Sequence, residues 1–274
     1  MTGSSWFEIR QYLFCFCLLA AGFMAGCATP SSELNSNNAG VEQLTASDEP
    51  DARKRARIRL ELAVGYFEQG QTTIALDELK QSIASDSSYG DAYSLRGLIY
   101  MRLNDFGIAE DSFKKALSLS PKNSNVLHNL GWLYCQQARY SESMQFFSQA
   151  LLNVQYVERA KTFRAQGLCQ VRAGMKDLAE ASLLKSYEFD PGNPVTAYNL
   201  AIILFERGDF SRARFYIRRI NNSELANSES LWLGLKIENG LNNSDSVSQL
   251  ATQLIKRFPH SREAAAYQRG SFNE

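Results

Sequence analysis

The chain has 274 residues, 45% of them hydrophobic and 21% charged, an ordinary composition for a folded protein with room for a sizeable core or several stacked units. Its 29 basic residues balance 29 acidic ones, giving a formal net charge of +0. That balance argues against a bulk phosphate-neutralising surface, so no nucleic-acid partner is expected, and the composition is not that of a disordered chain.

From the N-terminus, Tyr12 to Met24 forms a short apolar run, too brief for a membrane span of about 20 residues. It ends in small residues before a cysteine, as the apolar segment of a secretory signal does. The segment Met24-Ala25-Gly26-Cys27 resembles a bacterial lipobox, with Met24 in place of the usual leucine and only Arg10 against Glu8 ahead of the apolar run. The resemblance implies a signal peptide over residues 1–26, cleavage before Cys27 and lipidation of Cys27. A plain signal peptide or an uncleaved anchor is the alternative. Ala28 stands where an aspartate would resemble an inner-membrane retention signal, so the expected address is the periplasmic face of the outer membrane. Several acyl chains would hold the protein there, each buried methylene contributing about 0.8 kcal/mol.

Residues 27–50 are rich in Ser, Asn and Glu and poor in large apolar groups, so they are expected to form a lipidated, disordered tether. The remainder, 51–270, repeats. Ala63/Tyr66, Gly97/Tyr100 and Gly131/Tyr134 follow one another at a stride of 34 residues, the period of tetratricopeptide repeats. Units of this kind pair two short helices that cannot bury their apolar faces alone, so an all-α superhelical solenoid of about six repeats is expected. They fall near 56–89, 90–123, 124–157, 160–193, 194–227 and 228–261. The second fits best, with Tyr93, Gly97, Tyr100, Phe106, Ala109, Phe113, Ala116 and Pro121 in phase; in the third, Ser143 replaces the usual alanine. After Val157 the phase slips by two residues, because Gly167 follows Gly131 by 36, and a lengthened inter-repeat turn is expected there. Asp190-Pro191-Gly192-Asn193-Pro194 punctuates the chain, and Ser261 to Arg269 reads as a C-terminal capping helix.

Of five cysteines, Cys15 and Cys17 would leave with the signal and Cys27 would be lipidated, leaving Cys135 and Cys169 in the first helices of successive repeats. Contact between them is conceivable in an oxidising compartment. Each also sits in a helical run where a small buried residue packs well, and two buried thiols are the preferred reading. The histidines are His128 and His260, and no Cys/His pair has ligand spacing, so no metal and no cofactor is expected. The chain has no G-x-S-x-G elbow, P-loop or H-E-x-x-H, and Glu61 and Asp105 have no discernible acid/base partner, so neither an enzyme nor a small-molecule substrate is expected.

In tetratricopeptide solenoids the first helices line the concave face. The ninth position of the repeats carries Val64, Leu98, Trp132, Leu168 and Ile202, and the twelfth carries Phe67, Met101, Cys135, Val171 and Phe205. Such a stripe reads as apolar beyond what stacking requires and suits a protein partner with apolar anchors, Trp132 being the strongest candidate hot spot. His128, Asn129, Arg164 and Arg172 would set register. The alternative is a superhelix tight enough that the ninth position is half-buried, or a stripe covered by the chain itself. The family's carboxylate-clamp residues are absent, because Leu60, Val64 and Leu95 occupy those places.

A lipobox, a short polar tether and six repeats together resemble the type IV pilus biogenesis pilotin family, the PilF/PilW lipoproteins. The local likeness is clearest in Leu130-Gly131-Trp132-Leu133-Tyr134 with Arg139-Tyr140, in Tyr198-Asn199-Leu200-Ala201 with Gly208-Asp209-Phe210, and in the arginine-rich stretch Ser211 to Arg219. The resemblance implies a partner, the secretin subunit of the pilus, whose targeting to the outer membrane and multimerisation such proteins promote. A periplasmic scaffold for cell-wall enzymes or for outer-membrane protein assembly is the alternative, and a pilus-stabilising subunit without secretin contact is a third.

Overall fold

Residues 48–271 are described by a computed structural model; the expected signal peptide, Cys27 and all but the end of the expected tether lie outside the described residues. Among the described residues the chain forms thirteen α-helices. They are α1 (Asp51–Glu68), α2 (Thr72–Ser85), α3 (Gly90–Arg102), α4 (Phe106–Leu119), α5 (Ser124–Gln136), α6 (Tyr140–Leu152), α7 (Arg159–Arg172), α8 (Lys176–Phe189), α9 (Pro194–Glu206), α10 (Phe210–Asn221), α11 (Ser228–Gly240), α12 (Ser244–Arg257) and α13 (Arg262–Gln268). Six hairpins, α1–α2 through α11–α12, stack in order, and α13 closes the last one by packing on both of its helices. First helices also meet first helices, α1 on α3, α3 on α5 and α5 on α7, which makes the array an all-α solenoid.

The hairpin turns repeat one local solution. Gly70, Asn104, Ala138, Gly174, Gly208 and Asn242 all have φ between 55° and 81°, the left-handed conformation that ends a helix. The residue after each donates its N–H to a carbonyl in the last turn of the preceding helix, from Tyr66, Tyr100, Tyr134, Gln170, Leu204 and Glu238 in turn. These orphan carbonyls are thereby satisfied six times over. Three of the six second helices start on side-chain caps: the carboxylate of Asp105 accepts from the Ile108 N–H, Asp209 from Arg212 and the Asn243 side-chain oxygen from Ser246.

Within a hairpin, a bulky side chain of the second helix lies over a small residue of the first. A Cβ built on Gly97 would come 2.5 Å from the Phe113 ring, on Gly131 2.7 Å from Phe147, and on Gly167 2.7 Å from Leu183. Phe113, Phe147 and Leu183 are wholly buried, so this close approach carries the core. Between hairpins the core continues, as Phe113 and Ala116 join Val126, Leu130 and Leu133 of the next unit. Ser143, which stands in place of alanine, is buried and donates its hydroxyl to the Gly131 carbonyl at 2.7 Å, so the polar atom is satisfied.

The connection between α6 and α7 spans residues 153–158, against 86–89, 120–123 and 190–193; that between α10 and α11, 222–227, is as long but follows a shorter α10 and keeps the stride, whereas here the added residues are the two-residue slip. Cys135 on α5 and Cys169 on α7 form a disulfide, with Cα atoms 5.8 Å apart. This corrects the reading of two buried thiols: both cysteines are buried, at 2% and 0% exposure, but they face one another across adjacent first helices. The longer turn explains the pairing. Their separation of 34 matches the ordinary stride, so once the repeat slips by two, Cys169 stands one half-turn before the twelfth position and points back at α5.

Ion pairs also lace the hairpins together. Glu238 on α11, 2% exposed, accepts from Arg218 on α10 at 2.9 Å, and Glu180 on α8 takes both Arg207 and Arg212 at 2.7 and 2.8 Å. The arginine-rich stretch of α10 is thus a joint between the fourth, fifth and sixth repeats.

Candidate binding groove

The residues expected to form the stripe lie on the first helices α1, α3, α5, α7 and α9. Val64 is exposed at 37%, whereas Phe67, Leu98, Met101, Trp132, Leu168, Val171, Ile202 and Phe205 are half-buried. Leu98 and Met101 pack on the core shared by the second and third repeats, and Val171, Ile202 and Phe205 on that of the fourth to sixth. These five residues are therefore not surplus to stacking, because each packs on a core shared between repeats. Cys135, at the twelfth position of the third repeat, is withdrawn altogether into the disulfide.

Trp132 rests on the cluster of Cys135, Phe147, Ala165 and Cys169, and the Arg172 guanidinium lies over its ring at 5.0 Å. A cation over an indole face leaves an edge that is apolar and a head that is wet, which suits a hot spot. Toward the C-terminal end, Tyr198, Ile202, Phe205, Trp232 and Leu233 line a cavity of about 280 Å³ rimmed by Glu206, Glu229, Glu263 and Lys236. Burial first, then the nearby carboxylates of Glu229 and Glu263, push the Tyr198 hydroxyl above its ordinary pKa.

The flanking polar residues divide. Arg164 is half-buried. His128 is not on the groove at all: it is 6% exposed, stacks at a tilt on Phe147 with ring centres 5.8 Å apart, and its Nδ1 lies 2.9 Å from the Thr162 hydroxyl. Thr162 donates to the Tyr156 oxygen at 3.2 Å and Tyr156 donates to the Asn125 side-chain oxygen at 3.2 Å, so the ring must donate from Nδ1 for the chain of protons to close. Burial first, then the charges of Lys161 and Arg164, push the His128 pKa down to about 3. The ring is a neutral strut between α5 and α7 rather than a register-setting surface group. Asn199 donates its side-chain amide to the Val195 carbonyl one turn back, Glu61 pairs with Arg57, and Asp105 is a helix cap.

The tetratricopeptide-repeat model matches residues 90–123, and a second model of the same repeat matches 112–145. Over 251 residues, 92% of this chain and 95% of the other, the sequence is 26% identical to the type IV pilus assembly protein PilF of Pseudomonas aeruginosa. The chain is a tetratricopeptide-repeat homologue of PilF. Two solved structures extend the likeness in three dimensions. A structure of Pseudomonas aeruginosa PilF superposes on 81% of this tetratricopeptide-repeat protein and all of the other chain, with a TM-score of 0.73 at 24% identity, and so shares its fold. PilW, described as a widely conserved type IV pilus biogenesis factor, superposes on 78% of this chain and 98% of its own, with a TM-score of 0.69 at 28% identity.

The Tyr156–Thr162–His128 network and the buried glutamates Glu180 and Glu238 were not legible as site-shaping residues. The 36-residue step from Gly131 to Gly167 was the one sequence signal that marked the neighbourhood of the network, and none marked the two glutamates.

Proposed function

We propose that this protein is a lipid-anchored factor of type IV pilus biogenesis, held through Cys27 at the periplasmic face of the outer membrane, whose concave groove binds the secretin subunit and promotes its multimerisation. The observation that carries this reading is the extent of the likeness to PilF, which runs through 92% of the chain rather than a few generic repeats. The groove supports it chemically: a half-buried aromatic and aliphatic strip beneath Arg172 fits an amphipathic segment with apolar anchors. An anchored groove would hold an aggregation-prone subunit close to its target membrane and raise its effective concentration there.

An immunoblot of heat-resistant secretin multimers in membranes of wild-type and deletion strains tests the proposal. Loss of multimer with monomer retained is the expected result; an unchanged ladder moves the protein to a scaffold role for cell-wall enzymes or outer-membrane protein assembly. Trp132→Ala and Arg172→Glu should each weaken secretin capture by about tenfold or more while the helical circular-dichroism signal is kept. Unchanged capture in both removes the groove from consideration.

A further inference from the structure

The three most exposed large apolar side chains among the described residues are Val157 at 88%, Val154 at 84% and Leu152 at 79%; the two valines lie in the lengthened turn between α6 and α7, and Leu152 is the last residue of α6 before it. Their display is built, not loose. Tyr156 points inward, 6% exposed, and is tied to Asn125 and Thr162. Arg159 reaches back across the turn and donates from Nη1 to the carbonyls of Leu151 at 2.8 Å and Asn153 at 3.0 Å. With these inner anchors fixed, Val154 and Val157 are held outward as projecting tips. The two extra residues that break the 34-residue stride fall in this turn.

Charge around the tips is mostly positive. Residues 152–164 contain Arg159, Lys161 and Arg164 against Glu158 alone, and Lys122 lines the hollow beside Leu152 and Asn153. Position along the solenoid matters too. Arg53, at the start of α1, bonds Asp86 and Ser88 in the turn between α2 and α3, and Tyr156 bonds Asn125 at the start of α5. The start of each of these first helices thus lies beside the inter-repeat turn that follows its hairpin, and the described chain enters the solenoid at that end of α1. A coil of the expected tether's length reaches roughly 25–30 Å on average, so an anchor at Cys27 would keep the start of α1 within that distance of a bilayer.

We propose that the turn over residues 152–157 is a second membrane contact, its aliphatic tips entering the interface of an anionic bilayer while Lys122, Lys161 and Arg164 face the headgroup phosphates. Projecting apolar tips flanked mostly by cations suit a fluid interface that adapts to them, as amphipathic surface anchors do. From the secretin reading the inference takes the lipid anchor alone.

The test uses residues 49–274, one compact unit whose core clusters lie wholly within it, so anchoring and secretin are both absent. This body is floated with mixed phosphatidylcholine–phosphatidylglycerol vesicles and with phosphatidylcholine alone. It should rise with the mixed vesicles, more weakly with the neutral ones, and Val154→Asp/Val157→Asp should cut partitioning about tenfold or more with unchanged melting. An environment-sensitive dye on Val157→Cys, labelled selectively because Cys135 and Cys169 are bonded to each other, should shift to the blue on the vesicles. A body that never floats with an unshifted dye, or a double variant that floats like wild type, overturns the proposal. So does a wild-type dimer that the double variant abolishes, which makes the turn a contact between copies.

Discussion

His128 carries the clearest residue-scale consequence. Its pKa in the folded chain is near 3, below the ordinary histidine value near 6.5, because burial and the cations Lys161 and Arg164 oppose a second proton. The unfolded chain takes up that proton below about pH 6.5 and the folded chain does not, so stability is lost as pH falls from 6.5 toward 3, by up to about 1.4 kcal/mol per pH unit. Urea titrations between pH 7 and 4.5 should show the decline, and His128→Asn should flatten it in that window, above the range where Asp86, held down to about 2 chiefly by its bonds from Ser88 and Arg53, begins to protonate. Backbone conformation offers a second case. Ala138 has φ of 57°, where its equivalents are glycine or asparagine, and a Cβ is disfavoured in that region. Ala138→Gly should therefore leave the fold intact and raise the free energy of unfolding by about 0.5–1 kcal/mol, measured by denaturant melting.

At the scale of elements, α5 and α7 are joined more firmly than any other pair of first helices. They share the disulfide, the His128–Thr162–Tyr156–Asn125 chain and the Trp132 cluster. Closing a loop of this length removes unfolded-state entropy worth about 3–4 kcal/mol in the chain-entropy account. Reduction, or Cys135→Ser with Cys169→Ser, should lower stability by about that much while the helical signal survives, because packing within each hairpin does not depend on the bond. A non-reduced peptide map of the purified protein should show Cys135 and Cys169 in one linked fragment.

For the whole molecule, contacts run from one hairpin to the next, so stability is a chain of neighbouring interfaces rather than one global core. The middle hairpins, α5–α6 and α7–α8, have neighbours on both sides and the covalent joint between them. The first hairpin has a neighbour on one side among the described residues, and α13 is a helix of 7 residues. Amide hydrogen exchange should therefore be slowest in α5 and α7 and fastest in α1, α2 and α13, and reduction should speed exchange in α5 and α7 first. Uniform protection along the array would contradict this picture.

The repeat is legible along the chain because its signals are local and periodic: small residues under bulky ones, turn residues at a constant step, and a step of 36 where the chain inserts two residues. The hairpins, their order and the terminal helix follow from that pattern, which each unit obeys within its own 34 residues. What faces what between units is settled by the packing of one hairpin on the next. Whether Leu98, Met101, Val171, Ile202 and Phe205 are spare apolar surface or half of the core depends on how tightly neighbouring hairpins stack. That His128 is a buried strut, that two cysteines one stride apart meet, and that Val154 and Val157 project outward all depend on where a longer turn leads the chain in three dimensions. A period records which residues recur; contacts between units depend on the rotation from one to the next, and no single unit's sequence contains that rotation.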